Sequence, residues 1–230
     1  MAKPRQQKKD GCGEAAPPKA QKMFAALRAA NIFWALIRTH FTFGRDIALR
    51  LDRYTTGSYT VGASIWKQLL WFFIGAPLVR SYLIPFSGLK VNVLRWFGAE
   101  IGRGVRIKTG VRVKFPWRLV IKDFVWIGED AWFDSLDLIT IESHCCISQG
   151  VYLCTGNHDW SDRDFALKTA PIYIESGSWI AARATVAAGV RVGQGAVLGL
   201  GSVATRSLEP MTIYSGNPAI AIKARQIRDS

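Results

Sequence analysis

The chain holds three histidines, His40, His144 and His158. The last lies in a polar and aromatic segment, Cys154-Thr155-Gly156-Asn157-His158-Asp159-Trp160-Ser161-Asp162. An imidazole ordinarily titrates near pH ~6.5, so it is mostly neutral at pH 7 and can accept a proton from a hydroxyl nucleophile. A lone histidine is more often structural, so position must decide. A zinc centre of the three-histidine type needs one more imidazole than His144 and His158 provide in this half of the chain, and no metal is expected. The four cysteines, Cys12, Cys145, Cys146 and Cys154, show neither a Cys-x-x-Cys spacing nor the density of a disulfide scaffold. Reduced thiols in a cytoplasmic protein are expected.

The elements that must position His158 follow from a repeat. Aliphatic residues recur every six positions, as Ile101, Ile107, Val113; Ile121, Ile127, Phe133; Ile141, Ile147, Leu153; Ile174, Ile180, Val186; and Val192, Leu198, Ala204. The five groups begin 20, 20, 33 and 18 residues apart. Three hexapeptides account for 18, which leaves excesses of 2, 2, 15 and 0. A hexapeptide is a short strand and a turn, and three of them close one triangular coil with the aliphatic residue inside. Extra residues are tolerated only where the backbone leaves the ladder, and here all three insertions fall at the same corner. No helix suits period six with glycine at 102, 104, 128, 189, 193, 195, 199 and 201. About five coils are predicted, followed by a short helix over 220–228. His158 then stands where the third coil meets its 15-residue insertion, and solenoid loops commonly carry function.

The flanking regions are less regular. Residues 1–22 form a basic tail too polar to bury much, and they are expected to be disordered. The charged N-terminus does not resemble a secretory signal. A short helix is expected over 23–38 and an irregular connection over 42–60. Residues 65–79 are strongly apolar, but the uninterrupted stretch 69–79 is 11 residues long, about half of the ~20 needed to span a bilayer. Aromatics mixed with Lys and Arg suit a helix in a membrane interface; a cap on the main domain or an oligomer contact suits them equally. The net charge is +13, of which residues 1–28, with seven Lys/Arg and two acids, supply +5. The excess is spread along the chain, and no nucleic-acid module accompanies it.

The segment Thr155-Gly156-Asn157-His158-Asp159-Trp160 resembles the hexapeptide-repeat acetyltransferases. So do Ile180-Ala181-Ala182-Arg183-Ala184, Gly189-Val190-Arg191-Val192-Gly193, Gly199 to Arg206 and the closing Gly216-Asn217-Pro218-Ala219. The segments resemble the colanic-acid-biosynthesis type, related to the maltose, galactoside and nodulation acetyltransferases. The resemblance covers residues 90–228. It implies a mainly β fold, a left-handed parallel β-helix over 98–219, with a helical apolar region over 23–97 and a tail over 220–230. It also implies acetyl-CoA as co-substrate, a sugar or glycan acceptor and a homotrimer with its site between subunits. His158 corresponds to the general base, and Asn157, Asp159 and Trp160 flank it on the acceptor side. Asp134 matches a position often held by an acceptor-contacting Asn; a solvated corner is the alternative. Trp179 matches a tryptophan beside the pantetheine arm, or else is a buried aromatic at a coil edge. Ala182 stands where some relatives have a serine that assists the intermediate, so the oxyanion must use backbone N–H groups or another residue. Leu200, Thr205, Arg206 and Lys223 match coenzyme-contacting positions, with the two cations suited to phosphates unless they are simply surface charges. A serine-type or sugar N-acyltransferase, a non-catalytic solenoid and a γ-type carbonic anhydrase are the rival readings.

Overall fold

The structure, a computed structural model, describes residues 49–228; the basic tail 1–22 and the helix expected over 23–38 lie outside the described residues. From residue 100 onward the chain winds into a three-faced parallel solenoid. The first face is built by Glu100–Ile101, Leu119–Ile121, Ile139–Ile141, Ile172–Ile174 and Arg191–Val192. The second comprises Arg106–Ile107, Trp126–Ile127, Cys146–Ile147, Trp179–Ile180 and Val197–Leu198. The third comprises Arg112–Val113, Trp132–Asp134, Tyr152–Cys154, Thr185–Val186 and Val203–Ala204.

Register matches the repeat residue for residue. Ile101 pairs with Ile121, then Ile141, Ile174 and Val192. Ile107 pairs with Ile127, Ile147, Ile180 and Leu198, and Val113 with Phe133, Leu153, Val186 and Ala204. These side chains form one core, with Ile101 partly buried at its end, because each is covered by its counterparts in adjacent coils.

The corners explain the turn residues. Three positions after each inward aliphatic of the first face stand Gly104, Phe124, His144, Gly177 and Gly195, all at positive φ. The non-glycine members accept a left-handed conformation costing ~1–2 kcal/mol each, held by stacking: Phe124 and His144 rings lie 5.2 Å apart, nearly parallel. His144 is therefore a corner residue. Gly128 answers to a different need, since a Cβ there would lie 2.6 Å from the backbone nitrogen of Gln149 in the next coil.

Ahead of the solenoid, helix Ile65–Leu70 runs through a π-helical turn, Trp71–Gly75, into helix Ala76–Arg80. Helix Ser87–Trp96 then caps the first coil, burying Val91, Val93 and Leu94. Its Lys90 is also buried, with Nζ donating to the Lys108 carbonyl at 2.8 Å. Among the described residues no helix is long and apolar enough to cross a membrane.

The C-terminus departs from expectation. Instead of a helix over 220–228, Ala219–Ala224 is a strand antiparallel to Thr212–Gly216, and 225–228 carry no regular structure. Thr212–Gly216 itself extends the second face beyond Val197–Leu198 and begins a sixth coil. An open sheet edge offers unpaired N–H and C=O groups to any following strand, and that outweighs the helical propensity of a short segment.

Truncating a fully enclosed stack member tests this core. Ile147→Ala, in the central coil, is expected to destabilise the protein by about 2–5 kcal/mol in denaturant unfolding.

Candidate active site

The corner between the third and first faces is where the coils lengthen, and buried hydroxyls fix its geometry. Ser135 Oγ accepts from Phe115 N–H and donates to the Phe115 carbonyl, each at 3.0 Å. One coil on, Thr155 Oγ1 donates to the Asp134 carbonyl at 2.7 Å and accepts from Asp137 N–H at 2.8 Å. Thr155 is fully buried. The chain leaves the solenoid at Gly156 and forms a hairpin, Gly156–His158 against Leu167–Thr169.

His158 is half-buried in this hairpin, with Nδ1 2.9 Å from the carbonyl oxygen of Phe165. A carbonyl can only accept, so Nδ1 carries a proton and Nε2 is the nitrogen left to exchange one. The Phe165 ring stacks on the imidazole at 4.2 Å and 6°, while Tyr54 approaches at 5.7 Å from the segment preceding the helices. Phe165 holds its carbonyl in place at a positive φ of 52°. Orientation of the imidazole, and which ring nitrogen carries its proton, are thus set by a backbone group seven residues away.

The neighbours predicted with His158 divide by role. Asn157 Oδ1 accepts from the His158 N–H at 2.8 Å. Asp159 braces the loop: Lys168 Nζ lies 2.7 Å from one oxygen, and the other accepts from Ser161 N–H and Oγ–H. Lys168, then the Ser161 hydroxyl and N–H, hold the Asp159 carboxyl well below its ordinary range. Trp160 is 83% exposed. Asp134, by contrast, is buried at the lip of the corner, accepting from Tyr152 Oη–H at 2.9 Å and facing Lys114 Nζ at 3.0 Å without the alignment of a hydrogen bond. The Tyr152 phenol is pushed well above its ordinary range, first by burial and then by its contacts with Cys154 and Asp134. Asp134 is not the solvated corner residue of the alternative reading.

The other predicted positions lie elsewhere on the solenoid. Trp179 is half-exposed on the second face, its Nε1–H donating to Ser148 Oγ at 2.9 Å, so it is not a buried edge aromatic. Ala182 and Leu200 lie at the corner between the second and third faces, where Gly201 N–H donates to the Ala182 carbonyl. Leu200 is 74% exposed. Thr205 and Arg206 are exposed beyond the third face in the fifth coil, and Lys223 is exposed on the final strand. Within one chain the width of the third face separates Ala182 and Leu200 from the His158 corner. Cys145 is buried, which pushes its thiol up to about 11, and among the described residues no cluster of three His, Cys, Asp or Glu could hold a metal.

The sequence did not single out Lys114, Tyr152, Phe165 or Tyr54. Lys114, Asp134 and Cys154 stand one coil apart, as do Arg112, Trp132 and Tyr152, so the 20-residue period could have revealed the first two. Phe165 acts through its carbonyl, and Tyr54 arrives from outside the repeat; neither leaves a signal in residue type.

Solved structures share this architecture. A hexapeptide-repeat acetyltransferase of Vibrio cholerae, in complex with acetyl-CoA, is 20% identical, with a TM-score of 0.66 over 77% of this chain and 98% of that one. A maltose O-acetyltransferase of Clostridium difficile is 22% identical, with a TM-score of 0.58 over 66% and 83%. The fold is that of a left-handed parallel β-helix acyltransferase. In sequence, the chain is 37% identical over 164 residues to WcaF of Escherichia coli, which carries the name of a colanic acid biosynthesis acetyltransferase; the match spans 71% of this chain and 90% of WcaF. No protein-family model matches the sequence. The chain belongs to the WcaF-type family of hexapeptide-repeat acetyltransferases, and it is an acyl-transfer enzyme.

The brace around the loop is open to measurement. In Lys168→Met, the Asp159 carboxyl is expected to titrate closer to its ordinary value of about 3.9, read by NMR. A carboxylate depressed on folding stabilises the fold above its unfolded pKa and loses that contribution as pH falls through the folded value. The wild-type loop should accordingly resist proteolysis to lower pH than the variant.

Proposed function

We propose that the protein transfers an acetyl group from acetyl-CoA to a sugar hydroxyl during polysaccharide biosynthesis, with His158 as general base. The observation that carries this reading is the Nδ1–H bond to the Phe165 carbonyl, which leaves Nε2 free to accept a proton. Nε2 takes the hydroxyl proton as the oxygen attacks the thioester carbonyl carbon. The tetrahedral centre collapses with loss of the carbon–sulfur bond, and the imidazolium returns its proton to the leaving thiolate. With alanine at 182, the developing oxyanion is left to backbone N–H donors or to another residue. Asp134, held by Lys114 and Tyr152, faces the acceptor with Asn157 and Trp160, while Asp159 keeps the loop in shape. Trp179, Ala182, Leu200, Thr205, Arg206 and Lys223 take the coenzyme, with Arg206 and Lys223 at its phosphates.

A homotrimer brings these parts together. Ala182 and Leu200 lie across the third face from His158, so a neighbouring copy supplies them to each loop. The acceptor is a glycan precursor, in our reading lipid-linked and presented at the inner face of the cytoplasmic membrane. Trp66, Phe72, Phe73, Leu83 and Trp96 all stand exposed near the helices, and residues 53–99 contain five Lys/Arg and no acid. That combination suits a peripheral, anionic membrane surface.

Thiol release from acetyl-CoA, measured against a panel of sugars, amino sugars and serine, tests the acceptor class; turnover with hydroxyl sugars is expected, and turnover confined to amines or serine would replace this reading. His158→Ala should lower kcat by roughly 10²–10⁴ with coenzyme binding retained. Separately, Trp66→Ser with Phe73→Ser should abolish co-sedimentation with phosphatidylglycerol vesicles, whereas undiminished partitioning would rule out a membrane-facing helix.

A further inference from the structure

Between the helical segment Ile65–Arg80 and the outer side of the third face lies a cavity of about 1040 Å³ that none of the chemistry above uses. Two anchors define its course. Trp71 Nε1–H donates to the Lys114 carbonyl at 2.9 Å, and Gly110 N–H donates to the Arg80 carbonyl at 3.0 Å. The segment therefore lies alongside the edge strand Arg112–Val113, from one corner of the coil to the next. The π-helical turn Trp71–Gly75 makes the first anchor: a Cβ at residue 75 would overlap the Trp71 ring, so glycine lets that ring fold under the helix. Turns of this type are frequent at functional sites.

The lining combines an apolar wall with positive charge. Leu69, Phe72 and Pro77 face Phe115, Trp117 and Trp132. Three cations, Arg80, Arg112 and Lys114, line it, and no carboxylate does. Arg112 lies over the Trp132 ring at 4.5 Å and, like Arg80, has no ion-pair partner among the described residues. The nearest acids are already engaged, Asp130 by the Tyr82 hydroxyl and Asp134 by Tyr152 and Lys114. The cavity ends at the acceptor corner. Lys114, Asp134 and Cys154 occupy successive coils ~4.8 Å apart, so its rim lies about two strand spacings from the strand that leads to His158.

We infer that this groove holds the hydrocarbon chain and the anionic phosphate of the acceptor's own lipid carrier. The inference rests on the lipid-linked acceptor of the proposed function and assigns it a site. The volume is at the upper end of the ~300–1,000 Å³ usual for ligand sites. Its apolar wall takes the chain, Arg112 and Arg80 take the phosphate, and the attached sugar reaches past Lys114 to Asp134 and His158. The exposed apolar side of the same helices gives the chain a path from a bilayer.

Geranylgeranyl phosphate, geranylgeraniol and inorganic phosphate serve as probes, followed by the fluorescence of Trp71, Trp117 and Trp132 below the micellar concentration. Saturable binding of the phosphorylated lipid is expected, about fivefold weaker for the alcohol and for Arg112→Gln, with no response to inorganic phosphate alone. Leu69→Gln should weaken lipid binding while leaving acetyl transfer to a short soluble sugar unchanged. Absence of saturable binding, equal affinities across these variants, or a Leu69→Cys cross-link between two copies that occludes the groove would overturn the proposal. Lipid binding is measured without acetyl-CoA or sugar, so it stands or falls separately from the acetyl-transfer reading.

Discussion

Stacking of one inward aliphatic on its counterpart in the next coil is the constraint on which the remaining structure rests. Ile107, Ile127, Ile147, Ile180 and Leu198 form such a column, and each is buried because its neighbours above and below are in register. A shift of one residue would turn every side chain in a strand to the opposite side. The ladder therefore tolerates no insertion along its faces, and departures are confined to corners. Here they gather at one corner, where Ser135 and Thr155 tie the lengthened turns back to the coils. The same rigidity that forbids insertions elsewhere gives the loop bearing His158 a fixed base.

The imidazole depends on local backbone rather than on a partner side chain. The Phe165 carbonyl orients the His158 ring, and the ring of the same residue covers one imidazole face. The nearby carboxylate, Asp159, is spent on Lys168 and Ser161. A neutral orienting group fixes the ring without adding a negative charge beside it. In the proposed mechanism that arrangement leaves the chemistry to Nε2 and the shape of the site to the loop.

The helices ahead of the solenoid do two jobs. Ser87–Trp96 closes the open end of the first coil, burying Val91, Val93, Leu94 and the aliphatic stem of Lys90. Ile65–Arg80 meets the solenoid through Trp71, the buried Val79 and the Arg80 carbonyl, and leaves Trp66, Phe72 and Phe73 exposed. An apolar surface of this extent needs a partner or a lipid phase. That surface, together with the absence of acids from 53 to 99, is what the proposed membrane contact rests on.

The amino-acid sequence by itself determined the coil register, the corner at which insertions fall and the position of His158, because a strictly local period of six reports which side chains point inward. The resemblance to related enzymes, rather than the repeat, supplied the other candidate positions. Three matters were decided only by tertiary structure. The tail became a strand rather than a helix because the second face presents an open edge to Ala219–Ala224. Asp134 became buried and paired because Lys114 and Tyr152 stand beside it, one coil before and one coil after. Tyr54 and the Phe165 carbonyl reached His158 through a loop path that has no period to read. Local repeats encode what faces the core, whereas contacts between separate corners, edges and loops depend on where the folded chain brings them.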